Sequence, residues 1–167
     1  MTHQVQRITP FLWFDDDAEA AVQFYTSIFD DARIIRKTYY TNESSEPSGR
    51  PAGSVMTIEF QLLGLDFTAI NGGPAFKFNE SISLMVNCNT QAEIDRYWAK
   101  LGEGGDPKAQ QCGWLKDKYG LSWQITPNML LELIADSNSE RARRATKAMM
   151  GMKKLDIAEL QRAAEAA

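Results

Sequence analysis

The sequence predicts an α+β fold made of two strand-helix-strand-strand-strand modules and a helical C-terminal extension, and three observations carry this. Apolar and polar residues alternate in segments of strand length bounded by Gly and Pro. Two 3.6-period stretches follow the first strand of each half, with helix-start residues ahead of them. A shift of 72 positions superposes Leu12 on Leu84, Phe14 on Val86, Val22 on Ile94, Tyr25 on Tyr97 and Phe29 on Leu101. One structural unit has been used twice.

The first strand is expected from Arg7 to Phe14, ending at the acidic run Asp15 to Asp17. A helix follows, with Ala18, Val22, Tyr25 and Phe29 on one face and Asp16 with Glu19 at capping-box spacing. Strands are expected over Ala32–Thr41, Gly53–Leu63 and Leu65–Asn71, the last two hinged at Gly64. Between the first pair, the Ser-, Pro- and Gly-rich residues 42–52 predict a solvated loop that could cover a pocket.

The pattern restarts at Ser81. Thr90 and Glu93 form the capping box of a helix that presents Ile94, Tyr97, Trp98 and Leu101 and stops at Gly102. After a glycine-rich connection, a strand from Gln110 to Lys116 turns through Asp117 to Gly120 and returns as Leu121 to Thr126. No strand feeds a phosphate-binding helix at those glycines, so they form turns. Helices are expected around Met129 to Ile134 and from Ser139 onward, the last with Asp156 and Glu159 as capping box and Leu155 and Leu160 as hydrophobic staple. Module one spans about residues 6–72, module two about 81–127 and the extension 128–167, within one expected domain of 1–167.

Net charge is −4 with a sequence pI near 5.1, which gives no field for concentrating nucleic acid. Apolar runs fall short of the ~20 residues of a membrane helix and the first residues lack a signal-peptide centre, so no membrane partner and a cytoplasmic location are expected. Residues 141–154 hold six Lys or Arg and no acid beside Met149, Met150 and Met152. This is expected to be a solvated helical face packed on the domain or on a second subunit, with an RNA or acidic-partner surface as the alternative. Cys88 and Cys112 have no Cys-x-x-Cys spacing and no nearby histidine, and are expected as two buried thiols. His3, the sole histidine, is expected to face solvent.

Several stretches resemble PhnB-like proteins, the family described as 3-demethylubiquinone-9 3-methyltransferase, within the glyoxalase/bleomycin resistance/dioxygenase (vicinal oxygen chelate) superfamily. The carriers are ITPFLWFDDDAEAAVQFYTSIF (8–29), LDFTAINGGPAFKFN (65–79), ISLMVNC (82–88), QCGWLKDKYGLSWQITP (111–127) and AMMGMKKLDIAELQRA near the end. The resemblance implies paired βαβββ modules curved around a cleft, generally as a homodimer. Metal-dependent relatives hold a divalent ion there with His or Glu side chains. The matching positions here are Thr9, Ser81, Gln124 and Thr68.

Hydroxyls and an amide cannot replace imidazole and carboxylate donors, so neither a metal nor any other cofactor is expected. If those four positions face inward, strand alternation adds Phe11, Trp13, Asp66, Ser83, Met85 and Ser122 to the same side, and sends Ile8, Leu12, Phe14, Leu84, Val86, Trp123 and Ile125 under the helices. Such a lining suits a small organic molecule. Asp66 is the candidate acid or base of any catalysis, against the alternative of a structural Asp that bonds a nearby amide. Three functions stay open: a metal-free binding protein or cofactorless enzyme, a methyltransferase acting on a demethylated quinone, and a metal-dependent lyase or dioxygenase. S-adenosylmethionine transfer is normally supported by a doubly wound sheet with a glycine-rich loop, and this sequence predicts neither.

Overall fold

A computed structural model describes residues 6–135 and 139–166. His3 lies outside the described residues. The chain forms two compact units, Met1–Phe78 and Asn79–Ala167.

In the first unit, β1 (Phe11–Phe14) leads into α1 (Ala18–Ile28), followed by β2 (Arg33–Tyr39), α2 (Asn42–Ser48), β3 (Val55–Leu62) and β4 (Leu65–Asn71). The sheet order is β1-β4-β3-β2, with β1 parallel to β4 and the other pairs antiparallel. Strand alternation decides the two faces. Leu12, Phe14, Ile58, Phe60, Phe67 and Ala69 are buried, as are Ala18, Ala21, Val22, Tyr25 and Ile28 along one stripe of α1. Phe60 stacks on Phe67 at 5.3 Å between centroids and is near-parallel to Tyr25 at 6.5 Å. The β3–β4 hairpin turns through Leu63 (φ 48) and Gly64 (φ 83), the pair of positive φ values that a two-residue turn needs to match strand twist.

Three expectations are corrected here. Ile8 does not pack under the helix, because β1 begins only at Phe11 and leaves it 85% exposed. The acidic run does not build a capping box: Asp17 is the N-cap without a side-chain bond, and the Ala18 amide instead donates to Asn71 Oδ1 at 2.9 Å. Asp16 is drawn away by Arg50, which donates to its Oδ1 at 2.5 Å and also to the Asp15 carbonyl. Residues 42–52 are not a plain loop. Thr41 and Ser44 form a capping box, α2 follows, and Gly49 closes it in the left-handed region (φ 69).

The second unit contains β5 (Ser83–Cys88), α3 (Gln91–Leu101), β6 (Trp114–Lys116), β7 (Ser122–Pro127), α4 (Asn128–Ile134), α5 (Glu140–Met150) and α6 (Ile157–Glu165). Its sheet runs β5-β7-β6, with β5 parallel to β7. Thr90 and Glu93 make the expected reciprocal cap, with Glu93 N donating to Thr90 Oγ1 at 3.2 Å and Thr90 N to Glu93 Oε2 at 3.1 Å. Asp156 likewise accepts from Glu159 N at 2.8 Å, and Leu155 and Leu160 share a buried cluster with Leu130 and Met152.

This module is abbreviated. Where the first unit has β2, the second has a 3-10 turn at Pro107–Ala109. The strand expected from Gln110 is interrupted by a turn at Cys112 (φ 50) and Gly113 (φ 85), whose amides donate to the carbonyls of Met152 (2.8 Å) and Lys153 (2.7 Å). The backbone there is committed to the C-terminal segment. The basic stretch forms α5 and the turn after it, with Ala142 and Ala145 buried. Arg144 donates to the carbonyls of Ala163 (3.2 Å) and Ala164 (2.7 Å), satisfying acceptors that the end of α6 leaves open.

The two thiols differ, which corrects the expectation that both are buried. Cys88 is buried and Cys112 half-exposed. Burial first, and the Glu93 charge second, push the Cys88 thiol up to about 12. Thiol reagents at pH 8 are therefore expected to modify Cys112 in folded protein and to reach Cys88 only after denaturation, as mass spectrometry of the digested product would show. An unfolded chain ionises this thiol near 9 and the folded chain near 12. Its stabilising contribution is thus complete below pH 9 and declines as pH rises toward 12, by roughly 1.4 kcal/mol per unit.

Candidate functional site

The open face of the first unit's sheet is ordered in cross-strand rows. Phe11 of β1 lies beside Thr68 of β4, Thr68 beside Glu59 of β3, and Glu59 beside Arg36 of β2. A second row runs Trp13, Ile70, Thr57 and Thr38, and Asp66 pairs with Gln61. These residues alternate with the buried set, so one pleat sends both groups to their places.

Asp66, Thr68 and Thr9 line one pocket of about 200 Å³ together with Gln6, Ile35, Arg36, Glu59 and Phe67. Asp66 Oδ1 accepts from Gln61 Nε2 at 2.6 Å, and its backbone is clamped by Gln6, whose amide takes the Asp66 N–H and returns a bond to the Asp66 carbonyl, both at 3.2 Å. Arg36 donates to Glu59, and this bond, with the Glu59 charge second, holds the guanidinium above its ordinary pKa. Six of the lining side chains thus bring carboxylate, guanidinium, amide and hydroxyl groups to one concavity. Arg36, Glu59, Gln61 and Gln6 are absent from the sequence-based set. The first three were legible in the alternation of β2 and β3, where Thr57, Glu59 and Gln61 interleave with Ile58, Phe60 and Leu62.

At the next row, Phe11 is 58% exposed. Trp13 is half-buried: its Nε1 donates to the Gly73 carbonyl at 2.9 Å, its ring meets Phe76 edge-on at 5.0 Å, and its indole lies against Gly72, where no side chain intervenes. The result is an apolar shelf beside the polar pocket.

The second unit repeats the plan with fewer strands. On β5 and β7 the ladder pairs Ser83 with Ser122 and Met85 with Gln124, and Trp114 of β6 lies beside Gln124. Gln124 Nε2 donates to Ser83 Oγ at 2.8 Å. Ser122 is buried, Met85 is exposed, and Ser81 precedes β5, exposed, with its hydroxyl on Asn79 Oδ1 at 2.5 Å. Under the 72-residue shift Phe11 corresponds to Ser83, so the ladders align Thr68 with Ser122, whereas counting from the turn glycines aligns Thr68 with Gln124. Both choices keep the same face.

Among the described residues of this unit, Asp117 is a buried acid, 2% exposed, which neither spacing nor alternation singles out. Its Oδ1 accepts from the amides of Tyr119 (2.9 Å) and Leu121 (3.0 Å), and its Oδ2 from Trp123 Nε1 (2.8 Å). It closes the β6–β7 turn and is structural.

Among the described residues no group of three or more His, Cys, Asp or Glu could hold a metal ion, and no helix is long and apolar enough to cross a membrane. A divalent ion of the kind the superfamily implies would meet hydroxyls at Thr9 and Thr68 in the first unit. In the second it would meet the Ser81 hydroxyl and a Gln124 amide already bonded to Ser83. That donor set does not fit zinc, iron, nickel or manganese.

Among solved structures, the chain is 38% identical to a PhnB protein from Bacillus cereus described as a putative 3-demethylubiquinone-9 3-methyltransferase, covering 73% of this chain and 99% of that one with a TM-score of 0.61. Protein PA1353 from Pseudomonas aeruginosa is 19% identical over 74% of this chain and 98% of that one (TM-score 0.55). The fosfomycin resistance protein FosX from Mesorhizobium loti is 16% identical over 81% and 99% (TM-score 0.54). These last two share the fold. No match is found among the curated proteins. The model of the family described as 3-demethylubiquinone-9 3-methyltransferase matches residues 6–126, most of the chain, and with it this protein belongs to that PhnB-like family of the glyoxalase/bleomycin resistance superfamily.

Proposed function

We propose that this PhnB-like protein is a cytoplasmic homodimer that binds a small organic molecule over the open face of the first unit's sheet without a divalent metal. The observation that carries the proposal is the gathering of Thr9, Asp66 and Thr68 in one pocket beside the exposed Phe11. An apolar or aromatic body would rest on Phe11 and Trp13, and its polar end would reach the hydroxyls and carboxylates, the mixture of apolar lining and few polar groups that ligand sites use. The metal-dependent lyase or dioxygenase chemistry has no support in the donor set. Methyl transfer from S-adenosylmethionine has none in the two small sheets, neither of which is doubly wound.

Saturation-transfer NMR with a library of hydroxylated aromatic compounds is the test. Binders are expected to weaken about tenfold for Thr68→Val and for Asp66→Asn, since each loses about one hydrogen bond of affinity. Binding unaffected by both substitutions would sink the assignment. Calorimetry with S-adenosylmethionine is expected to show no saturable heat, and a clear isotherm would restore the methyltransferase.

A further inference from the structure

Charge is distributed unevenly along the chain. Met1–Phe78 holds ten Asp or Glu against six Lys or Arg, whereas Asn79–Ala167 holds twelve of each, so the net charge of −4 belongs to the unit that carries the pocket. The field of that unit draws cations and repels anions. At short range the same sign prevails. Of the residues lining the pocket, Glu59 and Asp66 are acids and Arg36 is the base. Arg36 lies outermost, its side chain 66% exposed against 33% for the Glu59 carboxylate to which it is bonded. The guanidinium thus offsets one of the two acids from the solvent side.

The hydrogen-bonding groups share this bias. Gln6 Nε2 donates to the carbonyls of Ile8 (2.6 Å) and Asp66 (3.2 Å), Gln61 Nε2 donates to Asp66 Oδ1, and Arg36 donates to Glu59. These donors are directed at protein acceptors, while two carboxylates and the hydroxyls of Thr9 and Thr68 converge on the cavity. A carboxylate has roughly four acceptor sites, so the Gln61 bond leaves Asp66 able to receive a ligand donor. An ammonium group, all donor and no acceptor, fits such a wall, whereas a ligand carboxylate would set acceptors against acceptors. Phe11, 58% exposed, lies beside Thr68 on the ladder, and Asp66 is two residues from Thr68 along β4, about 7 Å. An aromatic face holds a cation within about 6 Å of its centre, so the ring and the acids select the same sign.

On the reading of this face as a ligand site, we infer that its ligands are organic amines in their protonated form. The apolar or aromatic body rests on Phe11 and Trp13, and the ammonium end enters the cavity between Phe11, Glu59 and Asp66.

The test compares tyramine, tyrosol and 3-(4-hydroxyphenyl)propionate, which share a hydroxyphenyl body and differ in the charge at the chain end. Each is titrated by saturation-transfer NMR against the full-length protein near neutral pH and at low salt. Tyramine is expected to bind about tenfold tighter than tyrosol, the difference between a charge-assisted and a neutral hydrogen bond, and the propionate about tenfold weaker than tyrosol. Asp66→Asn is expected to shrink the advantage of tyramine over tyrosol to within about twofold. Arg36→Gln removes the base at the mouth and is expected to raise tyramine affinity about threefold, a gain that damage to the fold cannot produce. Tyrosol binding as tightly as tyramine overturns the charge assignment and leaves the ligand site standing. Tightest binding by the propionate overturns it in favour of Arg36 as an anion anchor, and an undiminished tyramine advantage in Asp66→Asn overturns it by placing the cation elsewhere. If none of the three binds, the ligand site itself fails, and its charge preference with it.

Discussion

Replacing Asp117 with Asn is expected to destabilise the protein by about 3 kcal/mol, because the change is nearly isosteric yet reverses the polarity of one side of a buried group. The carboxylate accepts hydrogen bonds from two backbone amides of its own turn and from the Trp123 indole. An amide offers one acceptor and one donor. If its oxygen faces Tyr119 and Leu121, its NH2 faces the indole N–H at the 2.8 Å now occupied by an acceptor; if it flips, two backbone donors lose their partner. Either arrangement leaves a buried donor unsatisfied, at about 1–3 kcal/mol, and forfeits charge-assisted bonds. Urea unfolding would measure the loss. Trp123→Phe removes the opposing donor, so Asp117→Asn in that background is expected to cost about 1 kcal/mol less than in the parent. A substitution cost below about 1 kcal/mol would show that the carboxylate is not what holds this turn.

Asp117 also marks where sequence reasoning stops. The turn from Asp117 to Gly120 was legible, since Asp and Gly there have turn chemistry of their own. That the acid would be almost wholly buried was not, because one of its partners is Trp123, and indole position depends on packing between β7 and the elements above it rather than on spacing. Conversely, Asp66 is expected on the cleft side by strand parity counted from positions that the family resemblance supplies, and it lies on the open face of its sheet, half-buried, against Gln61. Alternation is a local rule and it transmits along β3 and β4, whereas β7 is buried on both faces, Ser122 included. Two of the misreadings have a common cause. Asp16 is predicted as a cap from its neighbours in sequence, but Arg50, 34 residues away, takes the carboxylate, and Asn71 takes over the helix end. The strand expected from Gln110 breaks at Cys112 because the C-terminal segment supplies carbonyls for the turn amides. Nonlocal hydrogen bonds decided each case, and one sequence does not display them.

Gly72→Ala is expected to cost about 3 kcal/mol and to disrupt the apolar shelf of the proposed site, although the backbone there needs no glycine conformation. The obstacle is space. A Cβ would fall 2.3 Å from Cζ2, 2.4 Å from Cε2 and 2.6 Å from Cη2 of Trp13, well inside van der Waals contact with three atoms of a rigid ring. The ring cannot slide freely, because its Nε1 is bonded to the Gly73 carbonyl and its edge is set against Phe76. Expelling it forfeits about 1 kcal/mol for the hydrogen bond and about 1 kcal/mol for the aromatic pair, with strain in the strand accounting for the remainder. Removing the ring removes the conflict. In a Trp13→Ala background, Gly72→Ala is expected to be near-neutral, within about 0.5 kcal/mol, so the double-mutant cycle should return a coupling of about 2 kcal/mol or more. Additive effects would mean that Trp13 can leave its seat without loss. The same variant separates the parts of the proposed site: compounds that rest on Trp13 should lose affinity with Gly72→Ala while the Asp66–Gln61 bond two rungs away stays intact, observable as unchanged amide shifts at Asp66 and Gln61 in the unliganded protein.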